Sequence, residues 1–147
     1  HRGKGVSKMD GIIELTEKIF TVQREVCGYM LQVSAKKLGQ DLLVSVEGGQ
    51  KPHIGCVIQS VPRTSLTGDG SFSATSSVLN LTGHKDEYLC RKLSEQICAA
   101  CKTTVVCTGG VHIDQITKDE IQEIMRTVEE MGNIVIRHIK KRNEDSK

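Results

Sequence analysis

The chain has 147 residues, enough for one compact domain with a core of its own and too few for two ordinary ones. Hydrophobic content of 37% beside 26% charged residues is the balance of a globular protein, and 3% aromatic residues with no tryptophan leave little to build a base-stacking platform for nucleic acid. A net charge of +2 argues against a polyanion partner, no apolar run approaches the ~20 residues that span a bilayer, and no apolar core follows HRGKGVSK as a secretory leader requires.

Residues 1–18 are expected to form an N-terminal extension, part of it a cloning remnant, followed by a single domain over 19–142 and a disordered tail at 143–147. MDGIIELTEKIF reads as a weak helix. FTVQREV and YMLQVSAKK alternate with period two, placing Tyr29, Leu31, Val33 and Ala35 on one face of the second. DLLVSVEGG follows Gly39 with Leu42, Val44 and Val46 in step, and IGCVIQSVP is a further strand ending at Pro62. The short turns between these four segments favour an antiparallel meander.

From Arg63 to Thr82 the chain is rich in Ser, Thr and Gly and reads as a long loop, with SVLNL as a short edge strand within it. Loops of such length in a small domain commonly carry function. HKDEYLCRKLSEQICAAC then shows helical spacing. Leu89, Leu93, Ile97 and Ala100 form one stripe with Cys90 and Cys101 beside it, and Asp86 and Glu87 lie in the first turn, where the helix dipole favours negative charge.

KTTVVCTGG reads as a strand that ends in a glycine pair. TKDEIQEIMRTVEEMGNIVIRHIKKR is the last helix, opened by a capping-box pair, Thr117 and Glu120, and a hydrophobic staple, Ile116 and Ile121. Ile121, Ile124, Met125, Val128, Met131 and Val135 continue its apolar face, and Gly132 is a candidate bend. The basic run RHIKKR complements a helix C-terminus rather than forming a nucleic-acid patch. Strands followed by helices predict an α+β fold: an antiparallel sheet of about five to six strands with two main helices packed on it.

The six cysteines are Cys27, Cys56, Cys90, Cys98, Cys101 and Cys107. Without an export signal the chain is expected in the cytoplasm, with its thiols reduced. Cys98 and Cys101 have CxxC spacing, but no second pair completes a zinc set, so a place in the core or at the helix end is the reading preferred over redox or metal chemistry.

Glycines and histidines recur together. Gly48-Gly49 is followed by His53, Gly109-Gly110 by His112, and Gly83 by His84 with Lys85 beside it. Glycine turns let backbone approach a ligand and form concave nests of N–H groups that attract anions. A helix N-terminus adds unpaired N–H groups and partial positive charge. Pro52 stiffens the first loop. These features suit a phosphate-bearing ligand. A site of three imidazoles on a metal (His53, His84, His112) is the rival, and ordinary surface histidines without a ligand are the third possibility.

Three blocks carry a resemblance: GGQKPHIG at 48–55, GHKDEYL at 83–89 and TGGVHIDQIT at 108–117. In type, order and approximate spacing they resemble the signature blocks of the prenylated-flavin chaperone family. The resemblance implies a fold similar to proteasome assembly chaperones, assembly into a homo-oligomer, no catalysis of its own, and a role in maturing a UbiD-type decarboxylase catalytic subunit, an enzyme that uses prenylated FMN. Carried over residue by residue, contacts to prenylated FMN or an FMN-like nucleotide would fall on Gly48, Gly49, Pro52, His53 and Gly55, on His84, Lys85 and Asp86, and on Gly109, Gly110 and His112.

The mechanism expected is capture of the ligand's phosphate. Lys85 would be the main fixed charge, His53 and His112 hydrogen-bond donors, Arg63 an additional phosphate partner, and the Arg63–Thr82 loop a cover. The competing readings are an enzyme acting on a phosphorylated nucleotide-like substrate, with a histidine and Asp86 in acid–base work, and a pure assembly factor that binds no small molecule.

Overall fold

The computed structural model describes residues 19–80 and 85–145. Six strands, β1 (Ile19–Val26), β2 (Tyr29–Leu38), β3 (Asp41–Gly49), β4 (Cys56–Thr64), β5 (Phe72–Asn80) and β6 (Val105–His112), form one sheet, with helices α1 (Lys85–Cys101) and α2 (Lys118–Asp145). The weak helix expected over 9–20 lies outside the described residues except for Ile19 and Phe20, which open β1. The period-two reading of the strands holds in detail: Leu31, Val33 and Ala35 of β2 and Leu42, Val44 and Val46 of β3 are all buried.

Both helices pack on the sheet. α1 lies over β4, β5 and β6, and α2 over β1 and β2. Leu89, Leu93 and Ile97 of α1 and Ile124, Val128, Met131, Val135 and Ile139 of α2 complete the core. Thr117 and Glu120 form the expected reciprocal cap. The Thr117 amide donates to the Glu120 carboxylate at 2.9 Å, and the Glu120 amide donates to the Thr117 hydroxyl at 3.1 Å. Gly132 does not interrupt α2. It is buried where a side chain would strike the amide of Gln96, so it lets the two helices approach closely. α2 also runs to Asp145, so residues 143–145, expected in a disordered tail, continue the helix.

The sheet departs from a simple meander. Its order is β1-β2-β3-β6-β4-β5. β6 inserts between β3 and β4, parallel to β3 and antiparallel to β4. The β3–β4 connection therefore does not form a hairpin, and the loop at 50–55 passes over the end of β6 instead. The Ser/Thr/Gly segment is likewise not a long loop. β4 continues to Thr64 and pairs with the nine-residue strand β5, so among the described residues of the segment only 65–71 turn. Pro62 is tolerated in β4 because it lies beyond Ser60, the last residue paired with β6 on that side.

Gly109 and Gly110 do not end β6 but lie within it. Gly109 takes φ 135°, and an added Cβ would strike the backbone of Val46 in β3. A side chain there would push the central strands apart, which explains a glycine in the middle of a sheet.

Candidate functional site

The C-terminal ends of the parallel strands β3 and β6 lie side by side, with Gly48 opposite Val111 and Gly49 opposite His112. The 50–55 loop is fastened across this end. The Gln50 amide donates to the His112 carbonyl at 2.7 Å, the Gly55 amide to the Gly109 carbonyl at 2.9 Å, and the Asp114 amide to the side-chain carbonyl of Gln50. The first turn of α1 arrives at the same place. The Lys85 ammonium donates to the Val111 carbonyl, and the Val111 amide donates to Asp86 Oδ1 at 3.1 Å. Adjacent helix residues thus hold both backbone groups of one strand residue.

Asp86 is the centre of this arrangement. It is buried to 7% exposure, and its second oxygen, Oδ2, lies 2.8 Å from His53 Nε2. His53 Nδ1 donates to the Lys51 carbonyl at 3.1 Å. A carbonyl and an ionised carboxylate can only accept, so an ionised Asp86 requires a proton on both ring nitrogens, an imidazolium paired with a buried carboxylate. The glycines of the motif make room for the pair. An added Cβ at Gly55 would strike the Asp86 carboxylate. One at Gly110 would lie 2.7 Å from His53 Nε2 and 2.9 Å from Asp86 Oδ2.

Above the pair lies a cleft of about 260 Å³ lined by Lys51, His53 and His112. The two imidazoles meet edge to face with centroids 6.5 Å apart. His112 Nε2 faces Asp114 Oδ1 at 2.9 Å. Among the described residues, His112 Nδ1 and the Lys51 ammonium make no hydrogen bond or ion pair, so the ammonium remains available to an incoming acceptor, while Nδ1 can donate only when the ring carries both protons, because Nε2 already donates to Asp114.

The structure therefore brings together Gly48, Gly49, His53, Gly55, Lys85, Asp86, Gly109, Gly110 and His112, and Pro52 sits in the loop that carries His53. His84 lies outside the described residues, so the three-imidazole metal reading rests on one histidine without a described position. Among the described residues no group of three His, Cys, Asp or Glu side chains could hold a metal ion.

Three expectations change. His53 directs both ring nitrogens at the protein's own acceptors rather than at a ligand. Arg63 and the 65–71 turn lie at the opposite end of β4 from Cys56, about 23 Å away for seven residues of extended chain. Arg63 there donates to Thr75 and to the Thr64 carbonyl, so neither it nor the turn covers the cleft. Lys51, which lines the cleft, was not among the expected contacts. Its signal was available, as a cation within GGQKPHIG between a glycine pair and a proline.

All six cysteines are free, and four of them, Cys56, Cys90, Cys98 and Cys107, are buried in the core. Cys56 and Cys90 lie directly beneath the corner. Cys56 Sγ donates to the Asp86 carbonyl at 3.4 Å and Cys90 Sγ contacts the Gly109 carbonyl at 3.9 Å. Burial, and then the neighbouring Cys90, push the Cys56 thiol up to about 12. Thiols held protonated in this way are core material rather than nucleophiles.

Comparison with known proteins decides the family. Residues 25–140 match the model of the prenylated flavin chaperone LpdD-like domain. The chain belongs to this family. It is 30% identical over 122 residues to protein LpdD of Lactiplantibacillus plantarum, an alignment covering 79% of this chain and 82% of that protein. Its fold is similar to a chain in the crystal structure of a chaperone complex for yeast 20S proteasome assembly, with a TM-score of 0.51 at 12% identity, covering 84% of this chain and 97% of that one. The α+β fold resembling a proteasome assembly chaperone is thus present, and membership of a chaperone family makes this prenylated flavin chaperone homologue a non-catalytic accessory protein. Among the described residues no helix is long and apolar enough to cross a membrane.

Proposed function

We infer that this chaperone holds the phosphate of prenylated FMN, FMN or a related nucleotide in the Lys51–His53–His112 cleft and assists the maturation of a UbiD-type decarboxylase. The observation that carries the reading is the cleft itself. Three cationic or cation-capable side chains converge on it, and among the described residues Lys51 has a donor without a partner and His112 a ring nitrogen, Nδ1, without one. Such a set, with the Lys51 ammonium in it, fits a phosphate better than a neutral ligand. Membership of a prenylated flavin chaperone family supports a flavin as the ligand, and a decarboxylase that uses the flavin is the partner inferred from it.

The residues divide the work. Lys51 would supply a mobile full charge, and His112 a second N–H, at Nδ1, when its ring is protonated on binding the phosphate. His53, fixed by Asp86 and the Lys51 carbonyl, shapes the cleft without turning to the ligand. Lys85 holds β6 to α1 and adds positive potential from behind.

A thermal-shift titration tests the reading. FMN should raise the melting temperature of the wild type. Lys51→Met removes one charge-assisted contact, of the order of 1.5–3 kcal/mol, and should weaken binding roughly tenfold to a hundredfold. Lys51 is exposed, so the variant should fold normally. Equal shifts in the wild type and in a Lys51→Met/His112→Gln double variant would remove the cleft from the ligand site.

A further inference from the structure

The cleft is too small and too polar for a whole flavin. Ligand pockets that enclose a drug-sized molecule run from roughly 300 to 1,000 Å³ and are lined mainly by apolar and aromatic side chains. This one is about 260 Å³, and among the described residues Lys51, His53 and His112 line it. It cannot deepen. Its floor is the His53–Asp86 pair, packed so closely against Gly55 and Gly110 that neither position has room for a methyl group. Below that pair lie buried Cys56 and Cys90. The next residue in the loop after His53 carries a large apolar side chain that faces solvent: Ile54 is 59% exposed.

We propose that the cleft grips only the terminal phosphate of its ligand and leaves the ring system outside the protein, next to Ile54, where a partner can take hold of it. This rests on the phosphate-holding reading above and specifies it. The ligand class is then a phosphate monoester of any tail. The chaperone does not distinguish a prenylated from an unmodified flavin ring, so selection between them falls to the receiving enzyme. A ring that is never enclosed also need not be extracted. Transfer then requires only that the phosphate contacts be exchanged, and Lys51, on an exposed loop, is the contact most readily withdrawn.

Isothermal titration calorimetry of the full chain with FMN, ribose 5-phosphate and riboflavin tests this, together with iodide quenching of bound FMN fluorescence. The expected result is that FMN and ribose 5-phosphate bind with dissociation constants within about threefold of each other. Riboflavin should show no binding, and iodide should quench bound FMN nearly as well as free FMN. Lys51→Met and His112→Gln should weaken both phosphate compounds by the same factor. If FMN binds but riboflavin binds comparably, ribose 5-phosphate binds more than tenfold more weakly, or bound FMN is shielded from iodide, the ring is enclosed. That outcome overturns this proposal and leaves flavin binding standing. If neither FMN nor ribose 5-phosphate binds, the phosphate-holding reading itself falls, and this proposal with it.

Discussion

Asp86 has two acceptor oxygens and two partners, and each partner depends on it differently. The Val111 amide has nowhere else to donate, while the His53 ring would be left with an unmatched Nε2. Asp86→Ala should therefore cost about 1–3 kcal/mol, the range for leaving a buried donor unsatisfied, seen as a lowered urea midpoint. Asp86→Asn keeps an acceptor for Val111 and offers its amide N–H to a neutral ring nitrogen, so it should cost much less. Equal losses in the two variants would mean that burial, not the paired geometry, governs this position. Gly110→Ala tests the same pocket from the strand side. The methyl group must displace His53 or Asp86, and overpacking of this kind typically costs 1–3 kcal/mol. Because the displaced group forms the cleft floor, FMN affinity should fall with stability. That these residues form one set was visible in the ordered motif blocks. The identity of the contacts was not, because whether a histidine points outward or inward depends on what packs beneath it, and a lone surface lysine such as Lys51 carries no periodic signal.

At the scale of elements, what depended on neighbours in sequence was readable and what depended on distant partners was not. The capping box of α2 needs only positions 117 and 120, and strand parity needs only alternation. The glycine pair at 109–110 is a local breaker signal that tertiary packing overrides, since β6 needs those glycines to lie close to β3 and Asp86. α1 shows a second limit. Its sequence stripe predicted Ala100 in the core, yet the buried positions are Asp86, Leu89, Cys90, Leu93, Ser94, Ile97 and Cys98, including an aspartate and a serine. Ser94 is satisfied by a buried chain in which Ser94, Ser60 and Ser76 hydroxyls link at 2.7 and 2.8 Å and Ser76 donates to Glu95 at 2.6 Å. The thiols around α1 also make a pH prediction. Burial raises Cys98 from the ordinary 9 to about 11, and burial raises Cys56 to about 12. Cys90 is raised as well, by its contact with Cys107 and by burial. The folded state thus favours the protonated thiol. Its stabilising contribution is complete below pH 9 and is lost as pH rises through 11 to 12. By pH 10 each such thiol should have removed about 1 kcal/mol of stability. Urea midpoints measured from pH 7.5 to 10.5 should fall, and Cys98→Ala should make the fall shallower. A profile unchanged by that substitution would show that the thiol ionises as easily folded as unfolded.

Across the whole molecule, β6 is the piece that makes one sheet out of two. Without it β1-β2-β3 and β4-β5 share no strand pairing, because β3 and β4 each bond to β6 and not to each other. The motif blocks come from three regions of the chain that meet only once β6 has entered between them. The site therefore exists only in the fully folded state, and opening it requires separating the central strands. Native-state hydrogen exchange should reveal this hierarchy. Amides of β3, β4 and β6 should exchange only through global unfolding, whereas the edge strands β1 and β5, each paired on one side, should exchange through smaller openings. A ligand bound at the junction stabilises by RT ln(1 + [L]/Kd), about 2.7 kcal/mol at a hundredfold excess over Kd. That increment should appear in full on the slowest amides of β6, slowing them roughly a hundredfold, and should be absent from the outer edges of β1 and β5. Uniform protection across all six strands on adding FMN would show that the sheet opens as a single unit. Protection confined to the 50–55 loop would show that the cleft can open without disturbing β6.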